Sequence, residues 1–187
     1  MKKITLINFA VIIILIGAGI FFFAGDRGLL LGQSDFEGKN TTFTISGKSV
    51  TLVNGISEAP AVSGSASKIT TRYFGNEATG DLNGDGLADI AFLITQESGG
   101  SGIFYYAVVA LKTENGYKTT NAFLIGDRIA PQSTEIKTIS FRGISASELH
   151  VNFAERRPGE PMTVQPSVGA VLLLKVTSEG VLNGLME

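Results

Sequence analysis

The chain has 187 residues, with fifteen Lys or Arg against seventeen Asp or Glu, one histidine, no cysteine and no tryptophan. This near balance of charge leaves no broad basic field to draw nucleic acid. The absent cysteines remove disulfides, thiolate metal sites and thiol nucleophiles, and a single imidazole rules out a histidine-clustered zinc site.

From the N-terminus, no residue between Lys3 and Asp26 is charged. As a helix, Ile4 to Ala24 would rise by about 1.5 Å per residue to roughly 31 Å, the hydrocarbon thickness of a bilayer. Residues 1–25 are therefore expected to form an N-terminal transmembrane helix. Lys2 and Lys3 precede it, which predicts a cytoplasmic N-terminus and an extracytoplasmic location for everything after Asp26. A cleaved signal peptide is the rival reading. Gly17 and Gly19 have the spacing of a cleavage site, but Ile20-Phe21-Phe22-Phe23 would then begin the mature protein. Residues 26–41 mix glycine and charge around a small apolar cluster, Leu29 to Leu31, and read as a tether. The remaining segment, 42–187, has the size of one domain with one core.

Beyond the tether the pattern is that of strands. Thr42 to Ile45 and Val50 to Val53 flank Gly47-Lys48, a hairpin signal because glycine supplies the positive φ of a tight turn. Ala59 to Ser67 is a loop by composition, and Lys68 to Phe74 alternates polar with apolar residues. Ile90-Ala91-Phe92-Leu93-Ile94 is an unbroken apolar run suited to a central strand buried on both faces. Phe104 to Lys112 and Tyr117 to Thr120 meet across Asn115-Gly116, and Ala122 to Ile125, Glu135 to Phe141, Glu148 to Phe153 and Val168 to Thr177 complete the set. Arg142-Gly143 and Glu179-Gly180 are further turn candidates. Past residue 25 no apolar pattern holds the helical period over three turns. The expected fold is therefore mostly β: an antiparallel, meandering sandwich or open barrel. No repeat recurs at the period of a propeller blade.

Between two of these strands lies Asp81-Leu82-Asn83-Gly84-Asp85-Gly86-Leu87-Ala88-Asp89. Calcium takes six to eight oxygens, and a loop with donors at alternate positions supplies them. Here the candidates are the side chains of Asp81, Asn83 and Asp85, the carbonyl of Leu87, and Asp89 directly or through water. Gly86 permits the sharp bend. The twelfth position, where an EF-hand carries a bidentate glutamate, is Phe92, so the loop is not an EF-hand. The string from Gly80 to Phe92 instead resembles the calcium loops of FG-GAP and VCBS repeats, as in integrin α-chain propellers, and more loosely the first half of a dockerin segment. That resemblance implies a structural calcium held by Asp81, Asn83, Asp85, Leu87 and Asp89. It covers thirteen residues and occurs once, so the propeller fold does not follow. A wider resemblance rests on Gly99-Gly100-Ser101-Gly102 with Phe104-Tyr105-Tyr106, on Gly126-Asp127-Arg128, and on Arg157-Pro158-Gly159-Glu160-Pro161-Met162. These segments look like an uncharacterised family of exported or membrane-anchored bacterial proteins, which implies a location and no activity.

Two further groups bear on chemistry. Arg128, Glu155 and Arg157 could converge on a carboxylate or phosphate, since guanidinium forks bind such groups through two hydrogen bonds. The bland alternative is a solvated loop pinned by Pro158, Pro161 and Pro166. His150 alternates with Leu149 and Val151 and should face away from the core. Tyr105 and Tyr106 should point to opposite faces, one into the core and one toward a ligand. No Gly-x-Ser-x-Gly elbow occurs. The sequence thus predicts no catalytic residues and a membrane-anchored, extracytoplasmic, calcium-binding β domain acting as a binding module. Its partner would be a protein or glycan on the cell envelope. A small hydrolase with its site near Asp127, Arg128, Glu155 and Arg157 is the rival class.

Overall fold

The computed structural model describes residues 36–142 and 144–185. The expected transmembrane helix lies outside them, and among the described residues no helix is long and apolar enough to cross a membrane. The described chain is all-β, with a curled antiparallel sheet that forms a half-barrel.

Twelve strands follow in order: β1 (Thr42–Ile45), β2 (Lys48–Thr51), β3 (Ile56–Pro60), β4 (Lys68–Gly80), β5 (Asp89–Glu97), β6 (Phe104–Thr113), β7 (Gly116–Thr119), β8 (Phe123–Asp127), β9 (Ala130–Phe141), β10 (Ile144–Glu155), β11 (Val168–Val176) and β12 (Leu182–Gly184). β3 to β7 pair in sequence order as one meander, with β8 also pairing to β6. β9 to β12 form a second, four-stranded meander, and β1 with β2 a separate hairpin. Consecutive antiparallel pairing is what short turns between strands produce, and it matches the meander expected from the sequence.

The apolar run in β5 explains the layering. Every residue from Asp89 to Thr95 is buried. Successive side chains of a strand point to opposite faces, so such a strand needs cover on both. On one face Ala91 and Leu93 join Ala107 and Val109 of β6, Leu149, Val151 and Phe153 of β10, Leu174 of β11 and Leu182 of β12. On the other, Phe92 and Ile94 join Val108 and Ala110, and the cover is Phe43, Ile45 and Leu52 from the β1–β2 segment. Phe92 is fully buried among aromatic neighbours, its centroid 5.5 Å from Phe36, 6.4 Å from Phe43 and 5.6 Å from Tyr73. Burying one such side chain stabilises by about 1.5–3 kcal/mol.

The turns depart from expectation by single residues. Ile45 pairs with Lys48, so the first hairpin turns on Ser46 and Gly47, with φ of 49° and 77°. Two successive positive φ values make a type I′ turn, whose twist suits the flanking strands. Thr113 pairs with Gly116, which places Glu114 and Asn115 in the next turn and the glycine, at φ 126°, on the ladder's last rung. The expected tether also ends early. Phe36 stacks on Phe92 and on Tyr117 at 5.0 Å, and Gly38 passes so close to Tyr73 that a Cβ there would lie 2.6 Å from the ring. Residues 36–41 therefore belong to the folded unit. The sequence reading also gives no strand at β3 or β12, and it ends β4 at Phe74. In the fold, bulges around Gly75 and Asn76 carry β4 on to Gly80.

The β9–β10 hairpin extends past its sheet. β10 pairs with β9 from Ile144 to Ala154, but with β11 only from Leu149 to Glu155. Its distal part is a two-stranded arm. One face of the arm carries hydroxyl pairs, Thr138 with Ser147 at 3.3 Å and Ser140 with Ser145 at 2.7 Å.

Candidate functional site

The Asp81 loop leaves β4 at Gly80 and joins β5 at Asp89, and these two residues pair across the ladder. Its ends are thus fixed by strands while its tip is exposed. Leu82 turns inward, 4% exposed, and anchors the loop in the larger core cluster. Asp81 closes the turn. Its carboxylate accepts the amides of Gly84 at 2.7 Å, Asp85 at 3.2 Å and Gly86 at 2.9 Å. Gly84 and Gly86 have φ of 81° and 83°, a region an L side chain rarely adopts, which is why glycines stand there. Asn83 accepts the amide of Asp85 through Oδ1 at 3.0 Å and donates through Nδ2 to Asp85 Oδ2 at 2.9 Å. Asp85 Oδ1 in turn accepts the Leu87 amide at 2.8 Å. The Leu87 side chain is exposed.

Asp89 behaves differently. It is fully buried, and its two oxygens accept main-chain amides, Leu82 at 2.9 Å and Lys112 at 2.9 Å. Burial pushes its carboxyl above the ordinary value, the two amides oppose that, and the charges of Asp85 and Asp81 add to it. Among the described residues no group of three or more His, Cys, Asp or Glu could by itself hold a metal ion. The third acid of the loop is drawn away to the backbone. The donors left at the tip are the carboxylates of Asp81 and Asp85, the Asn83 amide oxygen and the Leu87 carbonyl. These are hard oxygens, which suit calcium or magnesium rather than zinc or copper. The loop also borders a cleft of about 360 Å³ between Asn83, Asp85 and the Thr177–Gly180 turn.

The arginine group resolves into two separate pairs. Asp127 accepts the Ile103 amide at 2.9 Å and both forks of Arg128, Nε at 3.1 Å and Nη2 at 2.6 Å. The bonds from Arg128 hold the Asp127 carboxyl below its usual range despite partial burial. Arg157 is 69% exposed and pairs with Glu160 at 3.4 Å. Glu155 is exposed, and its carbonyl accepts the Ser167 amide at 3.0 Å. It is Arg156 that reaches Arg128, donating through Nη1 to the Arg128 carbonyl at 2.8 Å and through Nε to the Val164 carbonyl. Its guanidinium ties the Pro-rich loop to the Asp127-Arg128 turn. The sequence singled out Arg157; alternation from the core-facing Val151 and Phe153 gives Arg156 the outward parity of Asn152, so the strand pattern did not mark it.

His150 lies opposite Leu149 and Val151 as expected, but instead of reaching solvent its side chain is only 15% exposed, with Nε2 3.3 Å from Glu148 Oε2. Tyr105 and Tyr106 do face opposite ways, but both rings pack on core clusters, one on each face. Sequence reasoning missed the side-chain network on the outer face of β9 and β10, where Asn152 donates to Ser133 at 2.9 Å and Ser133 to Glu135 at 3.0 Å. Its signal is faint, since polar residues facing out of a strand need no function. Comparison of the chain with protein-family models, with curated proteins and with solved structures gives no match.

Proposed function

We propose that this chain is a membrane-anchored, extracytoplasmic β domain that takes calcium at the Asp81 loop and acts as a non-enzymatic binding module for a protein or glycan of the cell envelope. The observation that carries the reading is the loop itself. Two carboxylates and an amide oxygen share a glycine-bent tip, and a third carboxylate close behind feels the charge of both. Two unit charges about 5 Å apart repel by roughly 3 kcal/mol at an effective dielectric of 20, and a divalent cation relieves this. Asp81, Asn83, Asp85 and the Leu87 carbonyl would hold the ion. Calcium would supply charge neutralisation and a rigid link between the ends of β4 and β5. Free calcium outside the cytoplasm is high enough to fill weak sites of this kind.

The anchor reading is supported by the uncharged run from Ile4 to Ala24. The binding-module reading is supported by the separation of the arginine group. The Arg128 guanidinium is taken by Asp127 and that of Arg157 by Glu160, so the two arginines are engaged by different carboxylates. Isothermal titration of calcium into the full chain in detergent micelles tests the metal. One site is expected, lost in Asp85→Ala; no heat above that of dilution would count against the reading.

A further inference from the structure

Asp89 stands where the calcium pattern asks for a ninth-position ligand, but its surroundings give it another task. The side chain has no solvent contact. One oxygen accepts the amide of Leu82, inside the loop, and the other the amide of Lys112, at the far end of β6 and 23 residues away in sequence. Leu82 directly follows Asp81, the carboxylate around which the tip folds, so a shift of the Asp81 main chain moves the amide held by Asp89. Lys112 pairs with Tyr117 across the β6–β7 ladder, and its Nζ lies 4.4 Å from the Tyr117 ring centre. One carboxylate therefore touches the loop, the start of β5 and the turn end of the β6–β7 hairpin.

We propose that Asp89 is a positioning residue, which ties the Asp81 loop to β6 and carries the order imposed by a cation at the tip to the turn end of the β6–β7 hairpin. The cation half of this rests on the calcium reading above; the tie itself rests on the geometry of Asp89 alone. An asparagine at this place has one acceptor oxygen, so one of the two bonds opens whichever way the amide turns. The tie is then cut while the volume of the side chain is kept.

The test is amide hydrogen exchange by NMR on the full chain in micelles, with calcium alone or with chelator, in the wild type, Asp89→Asn and Asp85→Ala. In the wild type, calcium should slow the amides of Gly84 and Gly86 and also that of Lys112, the last by at least about tenfold, as expected when local opening is suppressed. In Asp89→Asn, calcium should still slow Gly84 and Gly86 and leave Lys112 unmoved. A role in stability alone would change the basal rate at Lys112 but not its response to calcium. The proposal is overturned if Lys112 ignores calcium in the wild type while the tip responds, or if it responds equally in Asp89→Asn. If no amide responds to calcium in any form, the metal reading fails by itself. The tie is then judged in chelator, where faster exchange at Leu82 or Lys112 in Asp89→Asn supports it and equal exchange overturns it. Should Asp89→Asn not fold, Asp85→Ala decides the tie: with Asp89 intact, Lys112 must stay protected in chelator, and free exchange there overturns the proposal.

Discussion

Replacing Asp85 by alanine separates what an ion does for the loop from what the loop does for itself. Asp85 accepts the Leu87 amide at 2.8 Å and the Asn83 amide group at 2.9 Å, both at an exposed tip where water can take its place. Each such bond contributes about 0.5–1.5 kcal/mol, so the substitution should cost no more than about 1–3 kcal/mol in chelator. The ion's contribution is separate. A site of extracytoplasmic strength has a Kd of about 10⁻⁴–10⁻³ M. At about 10 mM calcium the ligand stands ten- to a hundredfold above Kd, which stabilises by about 1.4–2.7 kcal/mol. At about 2–4 °C per kcal/mol for a domain of this size, calcium should raise the wild-type melting temperature by about 3–11 °C. Asp85→Ala should show none of that rise. The assay is thermal unfolding of both proteins in micelles, followed by circular dichroism in calcium and in chelator. Equal midpoints for the wild type in the two conditions would refute the reasoning, because a bound ion absent from the unfolded chain must shift the equilibrium.

Gly38→Ala should destabilise by about 1–3 kcal/mol, read from a denaturant midpoint, because its methyl group would sit 2.6 Å from the Tyr73 ring and force it to move. Arg156→Ala should open the Pro-rich loop to limited proteolysis, whereas Arg157→Ala should leave cleavage unchanged and alter stability by about 0–1 kcal/mol, since that side chain is 69% exposed. Asp127 sets a pH dependence. Its folded carboxyl titrates below the ordinary aspartate value because Arg128 bonds to it, so its contribution is fully present above the ordinary value and is lost as pH falls through the lower folded one. Unfolding curves between neutral and strongly acid pH should therefore lose part of their acid limb in Asp127→Asn, and an unchanged limb would mean that the Arg128 pair does not survive in solution.

Much of the β architecture is written in local patterns. The run from Ile90 to Ile94 announces a strand that needs cover on both faces, and the fold provides two core clusters to match. His150 and the two tyrosines follow from alternation alone. What alternation does not tell is how much sits above each face, so neither tyrosine stands free: Tyr105 packs against one core cluster and Tyr106 against the other. β3 had a signal of its own in Asn54-Gly55, where φ values of 52° and 85° turn the chain between Val53 and Ile56. The strand that follows, with Ser57, Glu58 and Pro60, is an exposed edge and lacks the apolar alternation that marks a strand. Phe36 was hidden by its polar neighbours, for a single aromatic in a charged stretch gives no period. At the candidate site, spacing identified which oxygens share a loop. It could not say that Asp89 would be claimed by Lys112, because that partner comes from another strand, and long-range main-chain bonds leave no trace in one sequence.

The arm formed by the ends of β9 and β10 has a consequence for how the domain meets its surroundings. Thr138, Ser140, Ser145 and Ser147 are exposed or half-exposed, and their rungs join hydroxyl to hydroxyl. Water substitutes for such rungs at little cost, and two strands without a third are marginal by themselves. The arm should therefore fray from its tip inward and stop where Leu149 reaches the core, giving the molecule a compliant finger on a stiff palm.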